Sequence, residues 1–361
     1  MERYAVVAIF QLKQQSAYRY HHSDTCSTNT LYSKTLLAIT LQLTSLAQYQ
    51  MKHSLKVLVQ ALCFKFQIGN MRPVNRDIMQ KIFIIPWMSC LTAFSQAAIS
   101  VQDGTKQTVT VPHEIRKVVA LTPHAAELAY SAGAGSKLVG VTQESDYPEP
   151  VKALPKVGTY VQINLESIIK LKPDLVIAWQ DGGQAPLIQA LRQAGIPVFM
   201  SHPLSPQDIA TEIHALGVLN GTTNIAKQNT APFRLYLKTL EQTPKTPTVN
   251  SMFLVGYNPI YAISDNGFLG KMMQACGANN VFGHIKQPAF TLNPEALLQQ
   301  TAQIAFISNE GDLKQWQAFY SKSRQPPKIH SINADLRPSL RIKSSLEQMC
   351  LIIDTERRSR H

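Results

Sequence analysis

Charge is thin along this chain. Asp, Glu, Lys and Arg make up 16% of its 361 residues, against 45% apolar residues. That balance suits packed cores and is far from the charge-rich, apolar-poor make-up of disordered segments. Long apolar runs are missing as well: none reaches the roughly 18 residues that a membrane-spanning helix requires. No phosphate-binding GxxxxGK[ST] loop, GxSxG elbow or HExxH pair occurs. Gly133-Ala134-Gly135 follows a predicted helix instead of opening one, so it is no dinucleotide loop. There is no CxxC and no Cys/His cluster with zinc spacing. These absences argue against an enzyme, so no catalytic residue, resident cofactor or metal site is expected.

The formal net charge is +12, which raises the question of nucleic acid. Its distribution answers it. Residues 1–97 hold 10 Lys and Arg against 3 Asp and Glu, a net of +7; the remainder holds 25 against 20, a net of +5. The later part has no dense basic stripe with interleaved aromatics of the kind that tracks a phosphate backbone, and no nucleic-acid partner is expected.

The early excess has another source. From Met79 the chain reads MQKIFIIPWMSCLTAFSQAAIS. Lys81 gives a positive start, Ile82 to Phe94 an apolar core, and Ser95-Gln96-Ala97 a small-x-small triplet. That is the layout of a secretory signal peptide, residues 79–97, cut after Ala97. A buried helix is the competing reading, and Pro86 in its middle argues against it. Residues 1–78 carry no clean periodicity, so we expect them to be a non-native or disordered leader, with the working start at Met79 or Met71. Three of the five cysteines fall in this front part (Cys26, Cys63, Cys90), leaving Cys276 and Cys350. In an oxidising compartment that pair is a candidate disulfide; two separate buried thiols are the alternative.

After Lys117 short apolar runs alternate with helical spacing. KVVAL, LVGV, DLVIAW and PVFM read as strands, with helices over His124–Ala134, Leu165–Leu171 and Ala185–Ala194. Between Pro206 and Gln242 there is helical spacing only, broken near Gly217–Gly221. Beyond Pro244 and Pro247 the alternation resumes with SMFLV, QIAFI and KIHSI, and a last helix runs to about Asp354. Such alternation predicts parallel sheets covered by helices. The expected architecture is α/β: two Rossmann-like lobes, 98–204 and 244–361, joined by a helical segment over 205–243.

The two lobes repeat a piece. NLESIIKLKPDLVIAW (164–179) and NPEALLQQTAQIAFI (293–307) each place Glu two residues after Asn, then an aliphatic pair, then an apolar strand. Glu166 and Glu295 hold the same position in each. As first-turn carboxylates both suit the helix macrodipole, whatever else they do. Aromatics gather in loops and at strand ends: Tyr147 in SDYP, Tyr160 in VGTY, Trp179 closing DLVIAW, and Tyr261 after Asn258-Pro259. Flat rings around a cleft at the carboxyl ends of strands suit a large, partly apolar ligand.

SDYP, VGTY..INLESIIKLKPDLVIAW and NADLRPSLRI resemble the periplasmic cobalamin (vitamin B12)-binding family of ABC importers, over about Lys117 to Met349. These are helical-backbone substrate-binding proteins. The resemblance implies a non-enzymatic, periplasmic, monomeric carrier whose partners are cobalamin and the permease and ATPase subunits of an importer. It further implies that Tyr147, Tyr160 and Trp179 line the corrinoid pocket from the first lobe. Pro123 and His124 approach the ligand from the loop after the first strand. Tyr261 and Phe290 form second-lobe walls, and Asp335 and Arg337 meet the ligand's amide rim. Glu166 and Glu295 would dock on permease arginines, and Cys276 and Cys350 would form a disulfide. The Asp335–Arg337 loop is about two residues shorter than is usual in that family, and Ala289 stands where some relatives have Trp. The same scaffold can carry haem or a ferric siderophore; Tyr147, Tyr160 or His124 would then ligate iron.

Overall fold

The computed structural model describes residues 98–321, 323–332 and 335–359. The expected leader and signal peptide lie outside the described residues. The described chain opens on an antiparallel hairpin, β1 (Ile99–Gln102) and β2 (Thr108–Val111), with Ile99 opposite Val111. In β2 the TVTV alternation puts both valines inward and both threonines outward, the period-two pattern of a half-buried strand. Next come β3 (Val118–Ala120), α1 (Pro123–Ser131), β4 (Leu138–Val141), α2 (Leu165–Leu171), β5 (Leu175–Trp179), α3 (Ala185–Gln193) and β6 (Val198–Ser201). The four strands β3 to β6 form one all-parallel sheet in the order β4-β3-β5-β6.

Two helices without strands follow, α4 (Pro206–Leu219) and α5 (Thr223–Gln242). The second sheet is built from β7 (Val249–Val255), β8 (Tyr261–Ile263), α6 (Phe268–Ala275), β9 (Ala278–Asn280), β10 (Ala289–Thr291), α7 (Pro294–Leu298), β11 (Ile304–Ile307), α8 (Leu313–Tyr320), β12 (Lys328–Ser331) and α9 (Ile342–Arg358). Its order is β10-β8-β7-β11-β12, with β9 also on β7. Here the expectation of purely parallel sheets needs correction. β8 runs antiparallel to both β7 and β10, so this sheet is mixed. β7 and β8 are joined by only five residues, too short a link for the crossover that a parallel pair demands. The last helix also runs four residues past Asp354.

The apolar alternation of the central strands divides the interior. Val118, Ala120, Leu175 and Ile177 face a core shared with α1 and α4, while Val119, Val176 and Ala178 face one shared with Ile168 of α2 and Leu191 of α3. In the second sheet Phe253 and Phe306 stack 6.2 Å apart toward α6 and α9, and Met252 and Ala305 face Trp316 of α8. The first core is continuous from α1 through α4 and α5 to α9, so the two sheets share one packed face. Residues 206–242 are therefore part of the core and no free linker.

One polar group ties the end of β6 to α4. The buried Glu212 of α4 accepts from Ser201 Oγ at 2.6 Å and from the backbone N–H of His202 at 2.8 Å. Burial pushes its carboxyl up from 4.5 to about 7, against the pull of those two donors. A carboxyl raised on folding favours the folded state below its unfolded value, and that contribution is lost as the pH rises through about 7. Glu212→Gln keeps the shape and an acceptor, and its amide can donate to the Ser201 hydroxyl. The variant should match the parent in stability near pH 4.5 and exceed it by up to about 3 kcal/mol at pH 8. Melting curves across that range check this; parallel curves for the two proteins would refute it.

Candidate functional site

Parallel strands present their carboxyl ends on one edge, and the residues that follow them there meet across the two sheets. His124 follows β3, Asp146 and Tyr147 follow β4, and Trp179 closes β5. From the second sheet, Asp335, Arg337 and Arg341 follow β12. Arg337 bridges the two. Its guanidinium grips Asp146 in a two-pronged pair, Nη1 to Oδ1 at 2.5 Å and Nη2 to Oδ2 at 3.1 Å, and Nη1 also reaches Glu127 of α1 at 3.2 Å. Asp335 lies 3.5 Å from Arg337 Nε and 2.8 Å from Arg341 Nη1. The Arg341 guanidinium sits over the Tyr147 ring, 4.3 Å from its centre, a cation–π contact. The hydrogen bond from Arg337, more than simple charge, holds the Asp146 carboxyl below its usual range. The same bond raises Arg337 further.

This seam borders a concavity of about 380 Å³ lined by Glu127, Tyr147 and Pro148 on one side and Ser339, Leu340 and Arg341 on the other. A larger groove, about 620 Å³, lies on the flank of the first sheet between the hairpin and α3. Its walls are Trp179, Gln107, Gln180, Gln184 and Arg192, and of the expected ligand residues it includes Trp179 alone. Size favours the flank, chemistry the seam: charges of both signs and an open aromatic face converge only at the seam.

His124 packs its ring edge-on against Trp179 at 5.6 Å. Its Nδ1 meets Thr122 Oγ1 at 3.1 Å, and its buried Nε2 has no hydrogen-bond partner among the described residues. Burial, aided by the nearby Arg337 charge, lowers its pKa to about 4, so the ring is neutral at physiological pH. Pro123 is the first residue of α1 and Thr122 caps it, which is why His124 comes at a fixed helix entry. Tyr160 stands in a tight loop: its N–H donates to Glu144 at 3.0 Å and its carbonyl accepts from Gln184 at 2.5 Å. Gly158 makes that loop, with φ +122° and no room for a side chain, since a Cβ would come 2.4 Å from Gln162 O.

Tyr147, Tyr160 and Tyr261 all keep exposed ring surface. Tyr261 and Phe290 lie on β8 and β10, whose register sets Thr291 opposite Tyr261. Phe290 packs edge-on to Phe282 at 5.6 Å, and neither Tyr261 nor Phe290 has a hydrogen bond or ring contact to the first-sheet set. Of the expected residues the seam thus brings Tyr147 up to Asp335 and Arg337, His124 pairs with Trp179 within the first sheet, and Tyr261 and Phe290 stand apart. Glu127, Asp146 and Arg341 escaped the sequence reading. The signal for Glu127 was legible: an acid within HAAELA, a stretch with no solvent face. Among the described residues no three His, Cys, Asp or Glu side chains are grouped to hold a metal ion. Nor is any described helix long and apolar enough to cross a membrane.

The repeated pieces fold alike. Asn164 and Asn293 cap α2 and α7, their side chains accepting from Ser167 N at 3.0 Å and Ala296 N at 2.8 Å. Glu166 and Glu295 are exposed in the first turns, and Ile168 and Leu297 are buried at matching offsets.

A model of the periplasmic binding protein family matches residues 118–326. The chain belongs to the periplasmic binding protein family. It is 32% identical to the vitamin B12-binding protein of Vibrio campbellii over 257 residues, 68% of this chain and 92% of that protein. Among solved structures, the periplasmic vitamin B12-binding protein BtuF of Vibrio cholerae superposes with a TM-score of 0.61 at 30% identity, over 67% of this chain and 97% of that one. The periplasmic haem-binding protein HutB of Vibrio cholerae, 19% identical, shares the fold with a TM-score of 0.55 over 66% of this chain and 98% of its own.

Proposed function

We propose that this periplasmic binding protein captures cobalamin between its two sheet layers and delivers it to an inner-membrane ABC importer. The observation that carries the reading is the likeness to vitamin B12-binding proteins along nearly their whole length. On this reading the lobes are residues 98–204 and 244–361 about the helical segment 205–243, and the protein works in the periplasm as a monomer. Tyr147, Tyr160, Trp179, Pro123 and His124 serve the ligand from the first lobe, with Tyr261, Phe290, Asp335 and Arg337 from the second. A concavity of about 380 Å³ suits a drug-sized molecule, and a corrinoid is larger. Ligand entry therefore parts Arg337 from Asp146, and the ligand's amide rim takes over those contacts.

Calorimetric titration with cyanocobalamin tests this, with haem titrated in parallel. Binding of cyanocobalamin at micromolar concentration or tighter is expected. A Soret shift with haem and no heat with cyanocobalamin would overturn the proposal. Trp179→Ala removes a half-buried aromatic wall at a strand end, where the fold depends on it little. Its affinity should fall by about 1–3 kcal/mol, with Tm nearly unchanged. Unaltered affinity would take Trp179 out of the site.

A further inference from the structure

Glu127 is the only acidic residue of α1, in a stretch where every residue from His124 to Ala129 is buried. It is the fifth residue of the helix, past the first turn in which the macrodipole favours a carboxylate. A carboxylate without a wet face persists only with partners. All of its side-chain partners come from the other sheet. Ser339 Oγ donates to Oε2 at 2.6 Å, while Arg337 Nη1 and Arg341 Nη1 lie 3.2 Å and 3.5 Å from Oε1. The two guanidiniums then extend outward, one to Asp146 and the other across the Tyr147 ring.

We propose that Glu127 is a positioning residue: from beneath the seam it fixes the reach of Arg337 and Arg341, and thereby how the ligand's polar rim is met. This rests on the cobalamin reading. Arginine side chains are long and rotamer-rich, and ordering them before the ligand arrives spares that cost at binding. Glu127 does so from the floor of the concavity, where only 2% of it is exposed and most of its effect passes through the two arginines. Asp335 and Asp146 remain to balance both arginines if Glu127 is neutralised, so the fold should survive the change.

A double-mutant cycle tests the idea. Glu127→Gln retains the bond to Ser339 and should weaken cyanocobalamin binding about ten-fold, as expected for loss of pre-organisation. In an Arg337→Gln background the same change should cost clearly less, since only Arg341 is then left to position. An equal drop in both backgrounds, or no drop in either, overturns the proposal. Hydrogen exchange of the ligand-free protein supplies a second readout: amides over 337–345 should exchange faster in Glu127→Gln, and unchanged protection there also counts against it. Should Glu127→Gln fail to fold, Glu127→Asp keeps the charge one methylene short, and it must show the same two effects in weaker form. If the parent protein gives no heat with cyanocobalamin, the functional reading falls, and the exchange arm alone decides on Glu127.

Discussion

Reducing the Cys276–Cys350 bond, or replacing both cysteines with alanine, should destabilise the protein by about 4 kcal/mol. The two sulfurs join the C-cap of α6 to the third turn of α9, across 74 residues of sequence. A cross-link over that length removes much of the unfolded chain's freedom: on the chain-entropy model, about 3 kcal/mol for a 15-residue loop and 4.7 for a 100-residue loop. Little of the loss should come from the folded state, because other contacts keep α9 in place. Buried Arg357 donates to the carbonyls of Cys276 and Gly277 at 3.0 Å and 3.3 Å and to that of Pro247 at 3.0 Å, and it pairs with Asp354. For a protein of this size the expected fall in Tm is about 8–16 °C. Ligand affinity should hold, since the bond lies more than two turns down α9 from Arg341. A melting curve with and without reductant measures the effect. Two free thiols found by alkylating unreduced protein would disprove the bond, and an unmoved Tm would disprove its contribution.

The layered α/β plan was legible because its central strands are buried on both faces and read as unbroken apolar runs. VVA, LVIAW and IAFI need no partner knowledge to be recognised. β8, β9 and β10 were not, since each has three residues and two of them are largely exposed, too short for any period to show. The hairpin was legible but unread: Thr108–Val111 alternates strictly. In the site, Arg337 and Asp335 stood out through a resemblance, yet the contacts Arg337 makes to the first sheet span 191 and 210 residues. Pairing at such range is set by the relative placement of two sheets, which no local pattern encodes. Cys276 and Cys350 were reachable by elimination only as a candidate, and the bond itself required α6 and α9 to be brought to a Cα separation of 4.8 Å.

Glu166→Ala and Glu295→Ala together should abolish most cobalamin transport in a reconstituted importer while leaving binding intact. Each carboxylate is exposed and has no ion pair among the described residues, so each contributes little to folding. Their setting is duplicated in detail. An Asn cap precedes each Glu by two residues, and one turn after it a large aliphatic residue is left open to solvent, Ile169 at 44% and Leu298 at 42%. An exposed acid with an exposed aliphatic residue on one helix face, present once per lobe, matches a partner that offers a basic socket with an apolar rim twice. A twofold-symmetric permease dimer is such a partner. On the docking reading, removing one carboxylate would leave a set of permease arginines unpaired at a desolvated contact, a loss of about 2–5 kcal/mol in related charge pairs. Each single variant should therefore transport at a fraction of the parent rate, and the double variant far below either. If the glutamates serve only the helix macrodipole, the pattern reverses: a few tenths of a kcal/mol of stability lost per site and normal uptake. Uptake assays run beside melting curves and cyanocobalamin titrations separate the two, and normal transport by the double variant ends the docking reading.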